Sequence, residues 1–175
     1  MTRVRTDVEV VVVGGGIAGA VTAVHLAERG HDVLILDRAA FPRPKVCGEG
    51  LLPHGVTALR EAGIEVPAAA RPFAGIRWTM GEHTATGRFP REPGQGLRRE
   101  ELDAAVLGRA RRHRRIEVRE GAAVRGLTPV PGGLELRVGA ERVRAQVVIG
   151  ADGLHSQVRG WAGLEGPIGR RRRYG

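Results

Sequence analysis

The chain has 175 residues, enough for one domain with its own core, and carries a formal charge of +9. Lys45 is the one lysine among 28 basic residues; the arginines are dispersed except at 111–115 and 170–173, and aromatics make up 3%, unlike the clustered, aromatic-laced face that nucleic acid demands. Cys47 is the sole cysteine, which excludes an internal disulfide and points to a reducing cytoplasm, and no run is apolar and long enough to cross a membrane.

Residues 8–13 form an apolar run and read as a strand. Asp7, Glu9 and the glycines beyond argue against a signal peptide. Gly14-Gly15-Gly16-Ile17-Ala18-Gly19 follows, and residues 20–29 read as an amphipathic helix closed by Gly30. Strand, glycine turn, helix is the setting in which G-x-G-x-x-G signals a dinucleotide. Gly14 permits the tight turn, Gly16 lets the backbone approach a pyrophosphate, and Gly19 allows close helix–strand packing. The first helical turn, Ala18 included, offers unpaired N–H groups and a positive dipole end to phosphates. Residues 33–36 read as a buried parallel strand. The strand ends at Asp37, whose carboxylate can accept hydrogen bonds from a ribose hydroxyl; Arg38 joins it in the candidate cofactor-binding set.

Residues 38–53, rich in proline, glycine and charge, read as an ordered loop, and 54–62 as a short helix. The β-like runs 76–80 and 84–89 flank Gly81-Glu82 as a hairpin, and 90–96 reads as a loop. A helix is expected from Glu100 to about Arg112, with Leu102, Ala105, Val106 and Ala110 along one face. Strands follow at 116–119, 122–129, 134–138 and 143–149, the middle pair joined through Gly132-Gly133. No C-x-x-C or H-x-x-H pattern suggests a metal, and no Ser–His–Asp arrangement is defensible.

Four stretches run collinearly over residues 8–159. They are the fingerprint ending at Asp37; Phe41-Pro42-Arg43-Pro44-Lys45-Val46-Cys47-Gly48-Glu49; Arg99-Glu100-Glu101-Leu102-Asp103; and Gly150-Ala151-Asp152-Gly153-Leu154-His155-Ser156-Gln157-Val158-Arg159. Together they resemble the FAD-dependent oxidoreductases that group aromatic hydroxylases, flavin-dependent halogenases and geranylgeranyl reductases. The resemblance implies an α/β, Rossmann-like (glutathione-reductase-like) FAD-binding fold. It carries a β-meander and part of an inserted substrate-domain sheet, the hairpin at about 72–97. FAD is the implied cofactor, NAD(P)H the implied electron donor, and a small apolar or aromatic molecule the implied substrate.

By the same resemblance Arg99 approaches the FAD, and the loop carrying Arg43, Lys45, Cys47 and Gly48 lies near the flavin. Asp152 helps to hold the dinucleotide, with Arg159 as a candidate partner, unless it is an ordinary turn aspartate. Cys47 reads as a pocket liner or a small buried hydrophobe rather than a nucleophile. The C-G-E segment leans toward the reductase or halogenase-like branch, although the W-x-W-x-I setting of a halogenase is absent. No catalytic residue is identified.

The family's later G-D-A segment does not occur in these residues, and 170–175 reads like the run into a further strand. The expectation is an incomplete FAD-binding domain over 1–175, with the C-terminal substrate domain missing. Two alternatives stand beside it: a truncated, catalytically inactive nucleotide-binding module, and an NAD(P)-dependent dehydrogenase in which the Arg99 and Asp152 motifs would have no role.

Overall fold

The computed structural model describes residues 4–166, with side chains from residue 8 onward. Its centre is a six-stranded sheet in the order β8-β2-β1-β11-β10-β9. The strands are β1 (Val4–Val13), β2 (Val33–Leu36), β8 (Ile116–Arg119), β9 (Val124–Val130), β10 (Gly133–Val138) and β11 (Glu141–Gly150). β8, β2, β1 and β11 are mutually parallel, and β11, β10 and β9 form the expected antiparallel meander. The valine run of β1 is buried on both faces, as a central parallel strand must be. Val10 and Val12 enter one core, and Val11 and Val13 enter the other.

Helix α1 (Ile17–Glu28) leaves the glycine turn and covers the first face. Its buried positions Ala20, Ala23, Val24 and Ala27 recur at i, i+3, i+4 and i+7, the stripe that turns one helical face inward. The small side chains let the helix lie close to the sheet. Helix α3 (Arg99–Arg111) packs beside it through Leu102, Val106, Leu107 and Ala110. Each fully buried leucine or valine here contributes about 1.5–3 kcal/mol of transfer free energy. On the other face, the meander's Leu136, Val143 and Ala145 close over Val11, Leu34 and Leu36.

Helix α2 (Pro53–Glu61) starts one residue earlier than its reading, at a proline suited to a first helical turn. The hairpin is present as β5 (Gly75–Met80) and β6 (His83–Arg88). The loop readings at 38–53 and 90–96 need correction. β3 (Gly50–Leu51), β7 (Gly94–Gly96) and β4 (Arg71–Phe73) form a three-stranded antiparallel sheet. These strands have two or three residues each and carry no alternation to read; distant partners create them. Gly94 is buried under the Phe73 ring, where a Cβ would collide with it, and Phe73 meets Phe89 edge to face at 5.6 Å.

Ion pairs occupy much of the arginine surface: Arg109 binds Glu28, Arg111 binds Glu120, and Arg115 binds Asp32. Among the described residues, no helix is long and apolar enough to cross a membrane. The arginine run 170–173 and the expected strand approach at 170–175 lie outside the described residues.

Candidate cofactor site

The glycine turn sits where β1 ends, between the carboxyl ends of β2 and β11. Gly14 donates its N–H to the Leu36 carbonyl at 2.8 Å, and Ala151 donates to Val13 at 2.8 Å, so the turn is tied to both neighbouring strands. Gly14 has φ +109°, and a Cβ there would strike the Ala151 carbonyl. A Cβ on Gly19 would strike the Gly14 carbonyl, so the first turn of α1 rests on the loop itself. The G-x-G-x-x-G and G-A-D-G motifs, far apart in sequence, thus interlock through backbone. Gly16 differs: the nearest atom to a Cβ on it is Nη2 of Arg43 at 4.0 Å. The turn is open only on the side where a phosphate would approach.

A cleft of about 670 Å³ lies on that side. Gly14, Gly16, Asp37, Arg38, Lys45 and Asp152 of the sequence-read set all line it. Arg38, Arg43, Lys45 and Arg125 bring four positive charges against the carboxylates of Asp37 and Asp152, which favours an anionic ligand. The Arg43 guanidinium lies 5.0 Å from the centre of the Phe41 ring, and its buried Nε has no hydrogen-bond partner. A buried donor of this kind costs free energy until an acceptor reaches it.

Asp37 is 6% exposed and already engaged. Its Oδ2 accepts the Gly15 N–H at 2.7 Å and its Oδ1 the Ala39 N–H at 2.8 Å, fixing the glycine turn to the end of β2. Each carboxylate oxygen keeps a further lone pair. The Asp37 carbonyl accepts the Ala122 N–H at 2.8 Å, which places the start of β9 beside it.

Asp152 is held by the short helix α4 (Gln157–Trp161). Its carboxylate accepts from the Ser156 hydroxyl and from the N–H groups of Gln157 at 2.7 Å and Val158 at 3.2 Å. Partial burial pushes its pKa up, but the Ser156 hydroxyl and the Val158 and Gln157 amides outweigh that, leaving it below the ordinary carboxylate value. Pairing with Arg159 is not what the structure shows: the Arg159 guanidinium reaches the Leu154 carbonyl at 3.4 Å. The backbone amides of α4, closer in sequence, take the Asp152 oxygens instead.

The remaining read residues are not in this cleft. Ala18 is exposed on α1, and Gly19 is buried beneath the turn. Gly48 borders a separate hollow against Phe73 and Gly96. Arg99 stands at the start of α3 with its side chain 13% exposed, and its Nε donates to Asp103 Oδ1 at 2.9 Å. Burial works against the Arg99 charge; Asp103 and then the Cys47 thiol, within hydrogen-bonding reach, hold its pKa above the ordinary arginine value. Cys47 is therefore exposed and beside a guanidinium, which corrects its reading as a buried hydrophobe. Asp103, 1% exposed, keeps an unpartnered Oδ2.

Several lining residues lie outside the sequence-read set: Ala122, Ala123, Arg125, Gly153 and Trp161. Residues 122–125 come to the site only because β9 starts beside Asp37, and no periodicity announces that. Among the described residues, no cluster of His, Cys, Asp and Glu is placed to hold a metal ion.

A family model described as FAD binding domain matches residues 7–174. Digeranylgeranylglycerophospholipid reductase 2 of Methanopyrus kandleri is 36% identical over 178 residues, covering 90% of this chain and 40% of the relative. Menaquinone reductase of Mycobacterium tuberculosis is 48% identical over 61 residues, 35% of this chain and 15% of that protein. A solved flavoprotein/dehydrogenase from Cytophaga hutchinsonii superposes with a TM-score of 0.81 at 23% identity, over 95% of this chain and 44% of its own. The chain thus spans less than half the length of these proteins.

Proposed function

The chain belongs to the FAD binding domain family, and from that premise we propose that it forms the cofactor-holding part of a flavin-dependent oxidoreductase. Its substrate is a small apolar or aromatic molecule. The observation that carries this reading is the open side of the glycine turn. Gly14 and Gly19 leave no room for a side chain, Gly16 faces free space with Nη2 of Arg43 as its nearest neighbour, and the same guanidinium carries an orphaned, buried Nε. A pyrophosphate fits that cradle: it satisfies a buried donor, meets the N-terminus of α1 and offsets the excess positive charge.

Each residue has a stated task in this reading. Arg43 and Lys45 neutralise the phosphates, Asp37 accepts ribose hydroxyls with its remaining lone pairs, and Asp152 holds α4 so that the far wall keeps its place. Arg99, oriented by Asp103, anchors the Cys47-Gly48 segment toward the flavin end. When bound, FAD supplies the redox chemistry, with NAD(P)H as electron donor, and the protein supplies orientation and electrostatics.

Relatives named as reductases of a digeranylgeranyl lipid and of menaquinone support a reductase, and relatives named FAD-dependent monooxygenase support hydroxylation, so the oxidoreductase is of one of these two kinds. Residues 72–97 then form part of the substrate-domain sheet, and the setting is cytoplasmic, in keeping with one exposed, unbridged cysteine.

Purified chain titrated with FAD tests the reading. A yellow protein with one flavin per chain is expected. A colourless, folded protein that gains no colour with FAD would favour an inactive module, and tighter binding of NADH than of FAD would favour a dehydrogenase.

A further inference from the structure

We infer that Trp161 is the platform on which the adenine of a bound dinucleotide lies, and that it makes the cleft selective for adenine nucleotides. The inference rests on the FAD reading above and deepens it. Along the cleft, the glycine turn marks the phosphates and Asp37 the ribose. The Asp37 carbonyl is bonded to the Ala122 N–H at 2.8 Å, so the next stretch of wall is residues 122–125. Helix α4 packs against β9 at that place and brings Trp161 into the lining. Trp161 is half-buried, anchored against the core cluster that contains Val124 and Val158.

Among the described residues it is the only Phe, Tyr or Trp that lines the cleft, where the other ring is the smaller imidazole of His155. Ala122 and Ala123, which line the same cleft, are small. Phosphates have no use for an apolar plane, whereas a purine gains from stacking on one. The chain carries two tryptophans, and the other, Trp78, lies 60% exposed on the hairpin.

The test uses the whole chain with Trp78→Phe, so that emission comes from Trp161 alone, and titrates it with ADP, FAD and inorganic pyrophosphate by fluorescence and calorimetry. ADP and FAD are expected to quench Trp161. Trp161→Ala should weaken ADP binding roughly 5- to 100-fold while leaving pyrophosphate binding unchanged, and Trp161→Phe should restore most of the loss. Calorimetric ADP binding without any change in emission would overturn the inference and leave the FAD reading standing. Equal weakening of ADP and pyrophosphate in Trp161→Ala would also overturn it, since that marks a structural role. If the parent chain binds neither ADP nor FAD, the FAD reading fails and takes this inference with it.

Discussion

At the glycine turn, backbone meets backbone. Gly14 lies against the Ala151 carbonyl, Gly19 against the Gly14 carbonyl, and Asp37 clamps Gly15 from β2. Along residues 38–49, by contrast, Val46 and Cys47 stand in solvent. That loop is held by separate links such as the Phe41 N–H to Glu120 at 2.8 Å. The phosphate end of the cleft is therefore determined by steric exclusion, which no side chain can evade. Residues 38–49 depend instead on a few polar contacts. The difference teaches that one glycine can matter more to this site than several arginines.

The sharpest way to break the comparison is at Gly19. Gly19→Ala places a Cβ into the Gly14 carbonyl and should cost roughly 3 kcal/mol or more, read as a lower urea midpoint with unchanged slope. Gly16→Ala, at the open side, should change stability by no more than about 0.5 kcal/mol. It should still weaken FAD binding about tenfold, equivalent to ~1.4 kcal/mol, in a flavin titration. If both variants behave alike, the distinction between locked and open glycines is wrong.

Arg99→Ala strands the buried Asp103 carboxylate and should cost about 2–4 kcal/mol in denaturant unfolding. The double variant R99M/D103L should recover most of it, because no charge is then left buried. An Arg99→Ala protein as stable as its parent would show that the loop side tolerates even this loss.

A smaller effect is expected at Asp152. Asp152→Ala removes the acceptor for the first amides of α4 and should cost about 1 kcal/mol. Because the folded-state pKa lies below the ordinary 3.8, the Asp152 contribution is present above that pH and is lost as pH falls through the lower, folded value. Thermal melts between pH 6 and pH 2 should therefore show a flatter acid decline in Asp152→Asn. An unchanged decline would place the acid sensitivity elsewhere. The least effect belongs to the hairpin, where Met80 is 78% exposed: Met80→Gln should shift stability by less than about 0.5 kcal/mol.

Much of the turn was legible because its rules are local. Val8 to Val13, the three spaced glycines and the acid at the end of β2 each obey a short-range pattern; Val13, Gly14, Gly16 and Asp37 line the cleft, and Gly19 packs beneath the turn. The Arg99 motif was legible as a helix start, yet its side chain turns toward Asp103 and Cys47 rather than lining that cleft. Asp103 sits on the inward face of α3 beside Leu102 and Val106, so a residue read as motif became a buried charge. Helical periodicity says that a position faces inward, but not what it will find there.

The sequence by itself determined that strand, turn, helix and strand would form in that order and present a dinucleotide cradle, because positive φ, close approach and hydrophobic period are properties of neighbouring residues. Tertiary structure alone decided which distant pieces complete the cleft. It set the start of β9 beside Asp37, put Ala151 behind Gly14, brought Trp161 into the wall and raised a small sheet from Gly50, Arg71 and Gly94 segments. Those placements follow from strand register and core packing between segments far apart in the chain, which no local pattern encodes.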